Sequence, residues 1–181
     1  GWENFDDEQR RLCPPLVLVG NEKELGGRGL AQVSWLLNSG LPVKVLVLSE
    51  LDMGLDSRGV NAMPLAGLND PRTDLGLLAL AQRNAYVAQS SIADPGHLQQ
   101  SVRDAMRYSG PALIRVHAPS PGRHGFMSDQ TMTQARLAVE SRVMPLFRYN
   151  PEGEGVFGSR LDLAGNGDVH ADWLTDDDGI C

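Results

Sequence analysis

The chain has 181 residues, of which 41% are hydrophobic and 22% are charged, a composition typical of a globular protein with a sizeable core. Its formal net charge of −7 argues against nucleic acid or an anionic membrane as the main partner. No apolar run approaches the roughly 20 residues of a membrane span. The two cysteines, Cys13 and Cys181, lack CxxC spacing and are typical of free thiols in a reducing compartment, which predicts a cytoplasmic location.

The first part of the chain predicts a strand-helix-strand unit. After a polar lead-in segment, residues 1–15, the apolar run at residues 16–19 predicts a strand that is buried on both faces. A helical pattern begins at Gly26 and ends near Gly40, since glycine is common just after a helix. Residues 43–48 predict a second strand. Two strands joined through a helix indicate a parallel sheet with a right-handed crossover.

The alternation of strands and helices continues after a loop at residues 49–72, which is long for a compact domain and therefore a candidate functional segment. The further predicted strands are residues 85–88 and 111–116, and the further predicted helices are 74–82, 95–106 and 128–141. Asp74 and Asp94 precede two of these helices as candidate N-caps. The pattern predicts the α/β class, with an open, mostly parallel sheet that carries helices on both faces.

The C-terminal part of the chain lacks this regular pattern. From Met144 onward the sequence predicts an irregular, extended C-terminal extension. Residues 165–181 contain five aspartates and no lysine or arginine, so we expect a solvated, poorly ordered acidic tail. The expected globular domain is therefore residues 16–164. Since the chain does not begin with Met, we also expect it to be an excised domain of a longer protein.

Three segments of the second half are similar to one known family. They are residues 108–119 (YSGPALIRVHAP), 118–128 (APSPGRHGFMS) and 145–151 (PLFRYNP). Together they resemble the thiamine-diphosphate-binding domain of the pyruvate:ferredoxin (flavodoxin) oxidoreductases, and a weaker resemblance extends from about Leu16 to Asp162. The resemblance implies the thiamine-diphosphate-binding fold. It also implies a domain of a pyruvate-type 2-oxoacid oxidoreductase that binds thiamine diphosphate and Mg²⁺ for oxidative decarboxylation.

The resemblance also implies a set of site residues at the carboxyl ends of the first two strands, where open α/β sheets bind ligands. Glu22 stands where the family has the aspartate of a Gly-Asp-Gly motif that binds the metal. Ser49 stands at the position of a metal-binding threonine, and the carbonyl of Leu51 follows two residues later. The implied metal ligands are therefore Glu22, Ser49 and Leu51. Lys23, where the family has glycine, joins them as a candidate cofactor-binding residue.

Several positions depart from the family pattern. Ser120 stands where the family has a cysteine that ligates an iron–sulfur cluster, and serine is a poor substitute for a thiolate, so we expect no iron–sulfur cluster in this chain. Glu22 and Lys23 are equally compatible with solvated loop charges. The alternative function is therefore a degenerate, non-catalytic relative that keeps the fold as a binding or assembly module. No catalytic residue is identified from the sequence.

The resemblance implies partners as well as a cofactor. The expected partner is the remainder of a larger oxidoreductase polypeptide or a partner subunit, and a homo-oligomer is expected for the full protein. The acidic charge and the lack of a long apolar run predict neither nucleic acid nor membrane as a partner.

Overall fold

The apolar runs of the sequence form the centre of a six-stranded sheet in the computed structural model, which describes residues 4–50 and 73–168. The strands are β1 (Leu16–Asn21), β2 (Val43–Ser49), β3 (Tyr86–Ser91), β4 (Ala112–His117), β5 (Phe147–Tyr149) and β6 (Leu161–Asp162). Their order across the sheet is β1-β2-β4-β3-β5-β6. The first four strands pair in parallel and the last two pair antiparallel. The predicted α/β class with a mostly parallel sheet is confirmed.

Seven α-helices connect or flank these strands within the described residues. They are α1 (Asp7–Leu12), α2 (Glu22–Gly26), α3 (Leu30–Asn38), α4 (Leu75–Gln82), α5 (Pro95–Arg107), α6 (Pro121–His124) and α7 (Thr131–Glu140). The two predicted aspartate caps are present, because Asp74 accepts a hydrogen bond from the Leu77 backbone N–H and Asp94 from that of His97. In residues 4–50 and 73–168, no helix combines the length and apolar composition that a membrane crossing requires.

Apolar side chains cover both faces of the sheet. On one face, α3 and α4 pack Val33, Leu37, Leu75 and Ala79 against β2 and the neighbouring strands. On the other face, α5 packs Ala105 against buried residues of β3 and β4. Because helices occupy both faces, β3 and β4 are buried along their whole length. This arrangement leaves the strand ends, rather than the strand faces, as the place for a ligand site.

The structure differs from the sequence-based expectations at three places. The first strand is not buried on both faces, because β1 lies at the edge of the sheet, where Leu16 and Val19 are 66% and 55% exposed. The five-residue helix α2 was not predicted; it begins directly after β1, where the Asn21 side chain accepts a hydrogen bond from the Glu24 backbone N–H at 2.8 Å. The region after Met144 is not wholly irregular, because Phe147 and Tyr149 alternate into the core and form β5 beside β3. Most of the loop at 49–72 and most of the acidic tail lie outside the described residues.

Candidate functional site

The carboxyl ends of β1 and β2 lie side by side, because these strands pair in parallel from Leu16 opposite Val43 to Asn21 opposite Leu48. Glu22 is the first residue of α2, and Ser49 is the last residue of β2. The Ser49 hydroxyl donates a hydrogen bond of 2.5 Å to Glu22 Oε2. The structure therefore brings together two of the four residues that the sequence singled out.

The other two residues are not part of this contact. Lys23 lies on the exposed side of α2, and its side chain forms no hydrogen bond or ion pair within residues 4–50 and 73–168. Leu51 lies outside the described residues, so its expected carbonyl ligand has no structural description.

Arg115 is the residue at this edge that sequence reasoning missed. It lies in the middle of β4, opposite Val47 of β2 and Gln89 of β3. Its Nε atom lies 2.8 Å from Glu22 Oε1 in an ion pair, and its Nη2 donates a hydrogen bond of 3.1 Å to Glu22 Oε2. The side chain is only 7% exposed. A charged residue between the apolar residues Ile114 and Val116 of a buried strand was the available signal, because a buried charge requires a partner.

Two further oxygens complete the surroundings of the guanidinium. Arg115 Nη1 donates to Gln89 Oε1 at 2.7 Å and to Asp74 Oδ2 at 3.0 Å. Gln89 is itself held in place, because its amide group donates to the Pro145 carbonyl at 2.8 Å. Asp74 uses its other oxygen to cap α4. The arginine therefore joins the β1–α2 junction, the start of α4 and the centre of β3.

A glycine leaves room for this network at the start of α4. A Cβ atom placed on Gly76 would lie 3.1 Å from Gln89 Oε1 and 3.2 Å from Asp74 Oδ1. Both distances are tighter than ordinary contacts between a carbon and its neighbours. The absence of a side chain at Gly76 thus helps two of the acceptors of Arg115 to keep their positions.

His117 ends β4 at the same edge and is almost completely buried, with 2% of its surface exposed. Its Nδ1 lies 3.3 Å from the Ser49 carbonyl oxygen, which can only accept, so Nδ1 carries the proton. Burial is the main cause that lowers the pKa of His117 to about 4; the hydrogen bond to the Ser49 carbonyl acts against this shift, and the charge of Arg115 adds to it. The imidazole is therefore neutral at pH 7, and the positive charge at this edge comes from Arg115.

Ser120, the position at which the resemblance implies a lost cluster ligand, precedes α6 and is half-buried. Its carbonyl accepts the hydrogen bond from the His124 backbone N–H at 3.0 Å. Within residues 4–50 and 73–168, no group of three or more His, Cys, Asp or Glu side chains is arranged to hold a metal ion. The absence of an iron–sulfur cluster stays a prediction.

The donor set at the edge does not fit a site for Mg²⁺ and a diphosphate. Mg²⁺ requires hard oxygen ligands at about 2.0–2.1 Å in nearly octahedral geometry. Both oxygens of Glu22 already lie within 3.1 Å of nitrogen atoms of Arg115, and the Ser49 hydroxyl donates its proton to the same carboxylate. A divalent cation about 4 Å from a guanidinium would experience a repulsion of roughly 8 kcal/mol at an effective dielectric constant near 20. The guanidinium of Arg115 therefore neutralises the carboxylate that the resemblance assigns to a metal.

Comparison with known proteins identifies the relatives of this chain. No protein-family model matches it. It is 32% identical over 145 residues, 75% of its length, to a pyruvate:ferredoxin oxidoreductase of Moorella thermoacetica, and 28% identical over 158 residues to a pyruvate-flavodoxin oxidoreductase of Rhodospirillum rubrum. It is also 31% identical over 101 residues, 56% of its length, to the pyruvate synthase subunit PorB of Pyrococcus horikoshii.

The matched region is a small part of the larger relatives. The chain spans 12% of the Moorella protein and 13% of the Rhodospirillum protein, but 30% of the PorB subunit. The relatives include both long polypeptides and separate subunits, and the similarity covers most of the α/β domain described above. The chain is a divergent member of the pyruvate:ferredoxin (flavodoxin) oxidoreductase family.

Proposed function

We propose that the chain is a domain of a larger protein of the 2-oxoacid oxidoreductase type, and that it keeps the α/β scaffold as a binding or assembly module without catalysis of its own. The observation that carries this proposal is the contact between Arg115 and both carboxylate oxygens of Glu22. The family resemblance implies a metal-ligand position for Glu22. A carboxylate neutralised by a buried guanidinium offers little attraction to a second cation.

The relatives support the proposed partners. The chain matches about an eighth of two long oxidoreductase polypeptides and part of a separate subunit, PorB. We therefore propose that it assembles with the remainder of a longer polypeptide or with a partner subunit, and that the full protein is a homo-oligomer. The free-thiol pattern of Cys13 and Cys181 supports a cytoplasmic location.

A second candidate function is the activity of the family itself: binding of thiamine diphosphate and Mg²⁺ for oxidative decarboxylation of a 2-oxoacid. One observation favours it, because Glu22 and Ser49 lie together at the carboxyl edge of the parallel sheet. In this case Glu22, Ser49 and the Leu51 carbonyl would hold the metal, and Lys23 would lie near the diphosphate. The thiamine ring would supply the carbanion chemistry, and the protein would supply its orientation.

Calorimetric titration with thiamine diphosphate, with and without Mg²⁺, separates the two functions. The proposed module gives no saturable, Mg²⁺-dependent heat with the wild-type chain. The second candidate gives such a heat, and Glu22→Gln abolishes it because a neutral amide replaces the anionic ligand. Glu24→Gln is the matched control, since Glu24 is an exposed residue of the same helix and the change is chemically identical. Mg²⁺-dependent binding that is lost only in Glu22→Gln would refute the proposed module.

A further inference from the structure

The surroundings of Arg115 are made of oxygens of the kind that bind hard cations. Four of them lie between 2.7 and 3.1 Å from a guanidinium nitrogen: Glu22 Oε1, Glu22 Oε2, Asp74 Oδ2 and Gln89 Oε1. Carboxylate and amide oxygens are the ligands that Mg²⁺, Mn²⁺ and Ca²⁺ use in proteins. The sequence indicated Asp74 only as a helix N-cap, and it did not indicate Gln89 at all. The structure thus places a monovalent organic cation inside a cage of oxygens from three separate elements.

We propose that Arg115 is a built-in cation that replaces a divalent metal at this edge, and that removing its charge turns the same oxygens into a divalent-cation site. The inference rests on the proposed function, in which the wild-type chain does not bind Mg²⁺ with thiamine diphosphate. Beyond that function, Arg115 is the group that takes the place of the metal, and Glu22, Asp74 and Gln89 are the residues that would bind a divalent cation after its removal.

The charge balance explains why the edge needs a cation. Glu22 and Asp74 bring two negative charges to one partly buried place, with their side chains 19% and 38% exposed. Two carboxylates in contact with the same group repel one another unless a positive charge lies between them. Arg115 supplies one positive charge and donates hydrogen bonds to both carboxylates and to the Gln89 side chain. Without it, a divalent cation is the simplest species that neutralises both carboxylates.

The shape of the guanidinium explains why arginine suits this role. Its nitrogens lie in a rigid plane and point in different directions, so Nε and Nη2 face Glu22 while Nη1 faces Asp74 and Gln89. A lysine at position 115 would keep the charge but would offer a single ammonium group in place of this fork. The Arg115→Lys variant therefore separates the effect of charge from the effect of geometry.

The test measures binding of Mn²⁺ alone by electron paramagnetic resonance and thermal unfolding with excess Mg²⁺ or with EDTA. The wild-type chain is expected to bind Mn²⁺ weakly and to unfold at the same temperature in both solutions. Arg115→Ala is expected to unfold earlier in EDTA, to be stabilised by Mg²⁺ and to bind Mn²⁺ at least about tenfold more tightly than wild type. Adding Glu22→Gln to Arg115→Ala is expected to remove both effects.

Two variants control for indirect effects. Arg115→Lys is expected to remain insensitive to Mg²⁺, because it keeps the positive charge. Arg136→Ala removes an exposed arginine of α7 and is expected to behave as wild type. If Arg115→Ala fails to fold in EDTA, its refolding from denaturant with Mg²⁺ becomes the readout. Recovery of the native circular dichroism spectrum supports the proposal, and failure to recover overturns it.

The outcomes separate this inference from the proposed function. If the wild-type chain binds Mg²⁺ together with thiamine diphosphate, both are wrong. If the wild-type chain binds neither Mg²⁺ nor thiamine diphosphate, and a folded Arg115→Ala variant also binds neither Mn²⁺ nor Mg²⁺, the role of Arg115 as a built-in cation is refuted. The proposal of a non-catalytic module then stands. Metal binding by Arg115→Ala that depends on Glu22, when the wild-type chain binds Mn²⁺ only weakly, supports both.

Discussion

Arg115 and Glu22 are 93 positions apart in the sequence, yet their side chains meet in a two-pronged contact, with Nε 2.8 Å from Oε1 and Nη2 3.1 Å from Oε2. The Nη2 contact is a hydrogen bond, whereas the Nε contact is an ion pair without hydrogen-bond geometry. It engages the carboxylate that the family resemblance assigns to a metal. The contact therefore links the topology of the sheet to the proposed loss of cofactor binding.

Gly76→Ala tests whether a side chain at position 76 would crowd the partners of Arg115 and destabilise the fold. Alanine in a helix is ordinarily more stable than glycine by about 1 kcal/mol. At Gly76 we expect a loss of roughly 1 kcal/mol in the free energy of unfolding instead, because the added Cβ would meet Gln89 Oε1 at 3.1 Å and Asp74 Oδ1 at 3.2 Å. Gly122→Ala is the control, since nothing lies within 4 Å of a Cβ at that helical position. Equal stabilisation of both variants in urea unfolding would contradict the prediction.

The buried Lys44 predicts a rise of stability in mild alkali. Burial lowers the pKa of Lys44 from 10.5 to about 8, while its ammonium group donates to the carbonyls of Tyr108 and Gly110. Between pH 8 and 10.5 the unfolded chain binds more protons than the folded one, so the free energy of unfolding rises with pH across this window. We expect a rise of roughly 1–2 kcal/mol that is attributable to Lys44, less than the full shift implies because its two hydrogen bonds favour the charged form.

Urea unfolding of wild type and Lys44→Met at pH 7.5 and pH 10 measures this effect. Other groups that titrate in the same range contribute equally to the two proteins, so the difference between them isolates Lys44. The free energy of unfolding of the wild type, relative to that of Lys44→Met, is expected to increase from pH 7.5 to pH 10. Parallel pH dependences would show that Lys44 keeps its ordinary pKa in the folded chain.

Ser120 predicts that the purified chain carries no iron–sulfur cluster. A serine hydroxyl stands where the resemblance implies a cluster-binding thiolate, and Cys13 lies at a different place in the chain, at the end of α1. We expect neither stoichiometric iron nor charge-transfer absorption in the visible range after anaerobic purification. Restoring the thiolate with Ser120→Cys under cluster reconstitution serves as the comparison. A cluster in the wild-type chain would overturn the prediction.

The sequence predicted the four parallel strands because each is a short apolar run, and their register follows once the strands pair. It also predicted Glu22 and Ser49 as strand-end residues, and their contact follows from the pairing of β1 with β2. The partners of Arg115 were not predictable in the same way. Glu22, Asp74 and Gln89 come from three separate elements, so their convergence depends on strand order, which local patterns do not specify.

A crystal structure of the wild-type chain grown with saturating thiamine diphosphate and Mg²⁺ would show whether the guanidinium of Arg115 takes the place of the metal. We predict that the Arg115–Glu22 pair is retained and that no diphosphate is bound at the carboxyl ends of β1 and β2. Electron density for a diphosphate, with Mg²⁺ bound to Glu22 and Arg115 turned away from it, would contradict this role of Arg115.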